Sequence, residues 1–302
     1  MPKPELKELE QVTWGKSTHE HPVFSPDGTR IAFYAGTYGW LQIHVCALDG
    51  TERRPLTCGR GNHTQPAWAP DGRSVYYRAQ ETNDGPWSLW SVRVDDPDVR
   101  VRLLADSRVS YKHPSPSPDG KTLAWFSDEG TPGNFHLFSA PVDAAGLGER
   151  RRLTDDVNRN DCHPAWSADG KQILFHAYMG RVDASESHIF VCDARGGDLR
   201  QLTKEPGLHK HPFFVGRDLF VHHTEAKGKG RHLALRSVAD GKLVSKLTSG
   251  KKDDKHPNPY VPATGPVRIA FSSKKRGFDV PGEKRPSFDV FWATLTGLRV
   301  RR

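Results

Sequence analysis

Residues 162–170 read CHPAWSADG. A His-Pro pair, a short apolar stretch and an Asp-Gly turn follow one another. The chain writes nearly the same phrase as HPVFSPDG (21–28), QPAWAPDG (65–72), HPSPSPDG (113–120) and HPAWSADG (163–170). Looser copies stand at HPFFVGRD (211–218) and HPNPYVPATG (256–265). The six starts lie 44, 48, 50, 48 and 45 residues apart. Self-similarity at such a period decides the architecture before any local reading does.

Each phrase is followed by an apolar run, among them RIAFYAG (30–36), SVYYRAQ (74–80) and QILFHAY (172–178). A third run follows a variable loop, as in LQIHVCALDG (41–50) and HIFVCDARGG (188–197), and a fourth closes the unit, as in LRQLTKE (199–205). These runs have strand length, are rich in aromatic and β-branched residues, and are bounded by Gly, Asp or Pro. Four strands in 40–50 residues is the arithmetic of a propeller blade. The sixth repeat stops at its third strand, and LKELEQVTW (6–14) resembles the missing fourth. The expected fold is all-β: a single six-bladed β-propeller over residues 1–302, with four-stranded antiparallel blades and the N-terminal strand completing blade six. Closing the ring removes an edge that would otherwise invite pairing.

This pattern, HPxxSPDGxxIAF followed by a DG turn and an LT strand, resembles the PD40 repeats of TolB-type six-bladed propellers. The resemblance covers nearly the whole chain and implies the fold; function has to be argued from a site.

In such a blade the first strand is innermost. The SPDG-like turns fall on one face, where Pro presets φ and Gly supplies φ > 0, so Asp27, Asp71, Asp119 and Asp169 read as structural. The opposite face carries the variable loops YMGRVDASES, TEAKGKGR and SKKRGFDVPGEKRPS, and elaborate loops opposite regular turns mark a functional face. The His-Pro pairs sit there, at the mouth of the axial channel. His21, Gln65, His113, His163, His211 and His256 are thus expected to form a ring. Proline is expected to hold each preceding residue extended.

Neutral imidazole is the commonest metal ligand. Alternate blades give two facial sets, His21/His113/His211 and Gln65/His163/His256. One three-residue set can seat a divalent ion facially, with the other completing an octahedron or hydrogen-bonding the ion's water, and Mn, Zn, Fe and Ni are all open. Lys112, Lys210 and Lys255 directly precede ring histidines and would draw anions to the mouth. His176, His222 and Arg78 end second strands nearby. His136, His188 and His232 begin third strands, a column shared with Gln42, Ser88 and Asp289, and read as structural.

The His/Gln ligand types and the HEHP and HKHP pairs also resemble oligogalacturonate lyases. Those PD40-type propellers use a centrally held metal and act by β-elimination on uronates. The likeness extends to residue types, and it transfers no ligand position one by one. If the chain acts as those lyases do, His176, His222 and Arg78 are the candidate bases.

Two functions follow as expectations. The first is a metal-binding module that takes a small anionic ligand, an oligosaccharide or a peptide across the mouth. The alternative is a metal-dependent lyase acting on uronate-containing oligosaccharides. The formal charge of +8 is spread over loops, without the basic groove and stacking aromatics of a nucleic-acid binder. No run reaches the length of a membrane span. MPKPELKELEQ lacks a signal-peptide apolar core, so the chain as written reads as cytoplasmic; one whose leader had been removed would be periplasmic. The four cysteines have no CxxC spacing and read as free thiols. There is no nucleophile elbow, Walker loop, dinucleotide fingerprint or HExxH.

Overall fold

A computed structural model describes residues 3–143, 146–180, 185–225, 230–249, 253–274, 287–298 and 300–301. The three loops singled out above fall wholly or partly outside the described residues. Every regular element among the described residues is a strand, and none of these residues forms a helix long and apolar enough to cross a membrane.

Each sequence repeat folds into one antiparallel meander. The first runs Thr18–Phe24, Arg30–Gly36, Gln42–Ala47 and Arg54–Pro55; the second runs Asn62–Trp68, Ser74–Gln80, Ser88–Arg93 and Arg100–Leu104. The described strands form five separate sheets. One of them joins the fourth and fifth meanders through the single parallel pair Ser187↔Leu208. The N-terminal strand Glu5–Gln11 pairs antiparallel with the C-terminal strand Phe288–Thr296, as its sequence suggested. It therefore completes a sheet whose other strands are Asp254–Tyr260 and Val267–Lys274.

The core lies between meanders. Val23, Ala32, Ile43, Trp68, Val75 and Tyr77 form one buried cluster spanning the first two. Val12, Phe24, Ile31, Phe33, Ala270 and Val290 form another, which packs the last meander on the first. The turns behave as read: Asp119 accepts from Ser117 Oγ at 2.6 Å and Lys121 N at 3.1 Å, and Gly120 has φ 71°. Such an Asp-Gly turn needs the glycine, because φ > 0 is costly for a residue with a Cβ.

Neighbouring meanders are also latched by buried polar pairs. His19 Nδ1 lies 2.9 Å from Asp289 Oδ1, which also accepts from Thr13 Oγ1 at 3.1 Å. One repeat on, His63 Nδ1 lies 2.8 Å from Gln42 Oε1, which accepts from Thr57 Oγ1 at 2.8 Å. The column at the start of the third strands is thus structural at Gln42 and Asp289, through side chains of the next repeat. Buried polar groups left without partners cost their full desolvation. Asp289→Ala strands His19 and Thr13 together and is expected to cost about 3 kcal/mol in denaturant unfolding.

Candidate functional site

Each His-Pro or Gln-Pro pair is the two-residue side of a β-bulge. Pairing runs from Glu20↔Tyr34 to Val23↔Ala32, so His21 and Pro22 together oppose Phe33. The same register shift recurs at Gln65, His113, His163, His211 and His256. The extended conformation expected before proline is not found. These six residues have φ of 59°, 54°, 52°, 58°, 53° and 53°. The extra residue of a bulge must be absorbed locally, and a left-handed turn does so. That backbone costs an L-residue roughly 1–2 kcal/mol. Six such residues in register are strain concentrated at one place, and strain persists where the surroundings over-determine it.

The bulges bring all six side chains together. His163 and His211 stand at the centre, 4.0 Å apart, and the His163 ring lies 4.4 Å from that of His113 and 6.4 Å from His21. His256 stands 4.6 Å from His21 and 4.5 Å from His211. Gln65 Nε2 lies 2.9 Å from His163 Nε2. The all-histidine alternate-blade set, His21/His113/His211, is not the one that closes. The trio with ring nitrogens all within 4.8 Å of one another is His21, His163 and His211. The cluster is small enough for contacts across its centre, so blade parity does not decide which residues meet.

A second tier surrounds the cluster. His176 stacks on His163 at 4.7 Å, and His223 on His211 at 4.9 Å. Ser272 Oγ accepts from His21 N at 3.0 Å. His222 does not belong here. It opposes the fifth bulge, the position held elsewhere by Phe33, Tyr77, Trp125, Phe175 and Phe271. Its Nε2 accepts from Arg236 Nε at 3.1 Å, and its ring packs on Phe220. Adjacent strand residues face opposite ways, so the inward partner is His223.

Above the cluster is a cavity of about 460 Å³ whose lining includes Glu20, Tyr34, Arg78, Lys112, Tyr178 and Arg231. Arg78 donates from Nε to Thr64 Oγ1 at 2.9 Å and lies 3.9 Å over Trp87. Lys112 lies 4.1 Å over Phe135 and makes no ion pair among the described residues. Lys255 also lines the cavity, but Glu20 holds it at 2.6 Å. Lys210 is set against Tyr178 at 4.9 Å, outside the lining. Arg231 is paired with Asp253 at 2.9 Å. Trp40 stands apart, more than half exposed beside Arg60. Glu20 was not picked out from the sequence. It is the one acid in the column Glu20, Thr64, Lys112, Cys162, Lys210 and Lys255, and completing that column would have found it.

Burial controls the titration. It lowers His21 to about 3 and holds His113, His163, His211 and His256 well below the ordinary imidazole range, with nearby cations or imidazoles adding to it. Burial also lowers Lys112 to about 8 and Arg78 to about 10. The imidazoles are therefore neutral, the state a metal requires. His21 Nε2, the Nδ1 atoms of His113, His163, His211 and His256, and Gln65 Oε1 are buried without a hydrogen-bond partner among the described residues. Native interiors rarely leave so many polar atoms unpaired in one place. Turning the Gln65 amide end for end would let its oxygen accept from His163 Nε2–H, which leaves the Nδ1 lone pair free for a metal. The residues present fit a divalent ion.

The sequence matches the TolB beta propeller domain family (PD40) over residues 5–182, more than half of the chain. No curated protein is significantly similar in sequence. Among solved structures, TolB from Acinetobacter baumannii superposes with a TM-score of 0.61 at 16% identity, covering 93% of this chain and 64% of its own. The present chain thus spans less than two thirds of that TolB. Oligogalacturonate lyase from Vibrio parahaemolyticus gives 0.59 at 12% identity, covering 96% of both chains. An oligogalacturonate lyase in complex with manganese gives 0.58 at 14% identity, covering 98% of this chain and 97% of that one. At these identities the likeness is one of fold, and the fold is that of a β-propeller. With the repeats, the meanders and the family match in agreement, the chain belongs to the PD40 family of TolB β-propeller domains.

Proposed function

We propose that this propeller has six blades, is closed by the N-terminal strand, and uses the cluster at its centre to hold a divalent metal beneath a basic cavity that takes a small anionic ligand. The seam between the last and first meanders supports closure: Val12, Phe33, Ala270 and Val290 are buried together, and Phe24 N donates to Asn258 Oδ1 at 3.0 Å. The observation that carries the metal is the set of neutral, buried, unpartnered imidazole nitrogens on His21, His163 and His211. His113 and His256 flank that trio, and Gln65 orients His163. A bound divalent ion supplies Lewis acidity. Arg78 and Lys112, lining cations that make no ion pair among the described residues, attract and orient the anion, which can be free or part of an oligosaccharide or peptide. No nucleic acid or membrane partner is proposed. This is the chemistry of a binding module.

Metal analysis of protein purified without a histidine tag tests the reading. We expect close to one divalent ion per chain, removable by chelator and restored by Mn, Zn, Fe or Ni. Protein that neither carries nor takes up a divalent ion would refute it.

A second reading has its own support. His176 is stacked on the cluster and Arg78 borders the same cavity, on a fold that matches a manganese-bound lyase over almost its whole length. In a β-elimination, Arg78 would hold the carboxylate and His176 or Lys112 would take the adjacent C–H proton. His222 has no place in it. Loaded protein incubated with pectic oligosaccharides would then develop the ultraviolet absorbance of a new double bond; a flat trace leaves the binding module.

A further inference from the structure

The fourth repeat differs from the others in one pair of residues. The residue before each bulge faces a cross-strand partner on the second strand. The pairs are Glu20–Tyr34, Thr64–Arg78, Lys112–Phe126, Cys162–His176, Lys210–His223 and Lys255–Ser272. Directly opposed residues share a face of the sheet, with Cβ atoms about 5 Å apart. Only the fourth pair sets a thiol beside an imidazole. The bulge then turns His163 onto the same side. As a result, Cys162 Sγ and one nitrogen each of His163 and His176 all lie within 4.8 Å of one another.

Little else engages these atoms. Cys162 is 2% exposed, and among the described residues its thiol makes one hydrogen bond, donating to Asn160 O at 3.7 Å. His176 is 1% exposed and its Nε2 has no partner. Its Nδ1 receives His211 N at 3.4 Å, the outer limit of a hydrogen bond, and coordination asks only that this long contact give way. Cys162 and His163 both line the cavity, so a fourth position there is open to a ligand. Metal–sulfur bonds of about 2.3 Å and metal–nitrogen bonds of about 2.0 Å fit three donors at this spacing.

We infer that Cys162, His163 and His176 form a second seat for the metal, sharing His163 with the all-histidine seat, and that the hardness of the ion decides which seat it takes. This rests on the metal reading above and names which ions the site prefers. Thiolate with imidazole suits zinc and cobalt, whereas manganese prefers harder donors. A thiophilic ion therefore takes the cysteine seat, the thiol proton passing to solvent as the metal–sulfur bond forms. Manganese takes His21, His163 and His211. Because His163 is common to both, one ion is bound at a time.

Cobalt(II) titration of the wild-type chain is the direct test, since cobalt bound to thiolate shows a sulfur-to-metal charge-transfer band in the near ultraviolet. That band is expected in wild type and absent in Cys162→Ser. The same substitution is expected to weaken zinc by at least about tenfold while manganese, followed by its paramagnetic resonance signal, changes little. His21→Gly, which suits the left-handed backbone there, should do the reverse. Cobalt binding without the band, or a band that survives Cys162→Ser, overturns the cysteine seat and leaves the histidine cluster standing. The wild-type spectrum needs no variant to fold. Protein that binds no metal at all overturns both readings.

Discussion

The metal-free protein should lose stability steeply between pH 6.5 and 5, far above the range where carboxylates titrate. Burial lowers His44, His63, His136 and His209 to about 4 and His21 to about 3. His113, His163, His176, His211, His222, His223 and His256 are also held well below their ordinary value, chiefly by burial. In the unfolded chain these groups take up protons near pH 6.5. Between that value and the folded ones the unfolded state binds more protons, so stability falls as pH falls. Above about pH 7.5 both states are neutral and the contribution vanishes. One pH unit below 6.5, each such histidine costs about 1.4 kcal/mol, and the five with values near 3 or 4 together cost about 7 kcal/mol. A domain's whole stability is about 5–15 kcal/mol. Denaturant unfolding followed by tryptophan fluorescence in chelator at pH 7.5, 6.5 and 5.5 should show the midpoint collapse across that series. A midpoint that holds to pH 5 would mean that the histidines are not buried as described. His136 offers an internal control, because both its ring nitrogens are buried without partners. His136→Leu should leave stability at pH 7.5 nearly unchanged and recover about 1.4 kcal/mol at pH 5.5.

What the sequence could say followed from repetition. Turn chemistry, strand length and the displaced fourth strand were each written several times over, so the meanders and the pairing of Glu5–Gln11 with Phe288–Thr296 could be read directly. The convergence of the six bulge residues was readable for the same reason. Their conformation was not. His-Pro reads as extended in isolation, and only the cross-strand register reveals two residues against one. That shift also decides which of two adjacent histidines faces inward. His222 and His223 are equivalent by position near a strand end, but the bulge sets the parity that sends His223 to the cluster and His222 to the Phe33 column. Likewise, which three of six side chains come nearest depends on rotamers across a narrow centre, and no spacing along the chain encodes that.

Adding a divalent ion to chelator-treated protein at pH 7.5 should raise its melting temperature by about 5 °C at 100-fold excess over Kd. A ligand that binds only the folded state at that excess adds about 2.7 kcal/mol, and a chain of this size gains roughly 2 °C or more per kcal/mol. The dependence on individual histidines is the sharper part of the expectation. His163 contacts four other imidazoles and belongs to the trio that closes, so His163→Gly should abolish the shift for every ion. Glycine is the right substitution because the backbone there is left-handed, which keeps loss of a ligand separate from added strain. His113→Gly removes a residue of the same ring that lies outside the trio, and most of the shift should remain. His44→Phe, in a third strand and stacked on Phe33, should leave it unchanged. Equal loss at His113 and His163 would mean that both alternate-blade sets hold the ion together, and not the trio alone. An unchanged shift in His163→Gly would place the ion elsewhere in the molecule.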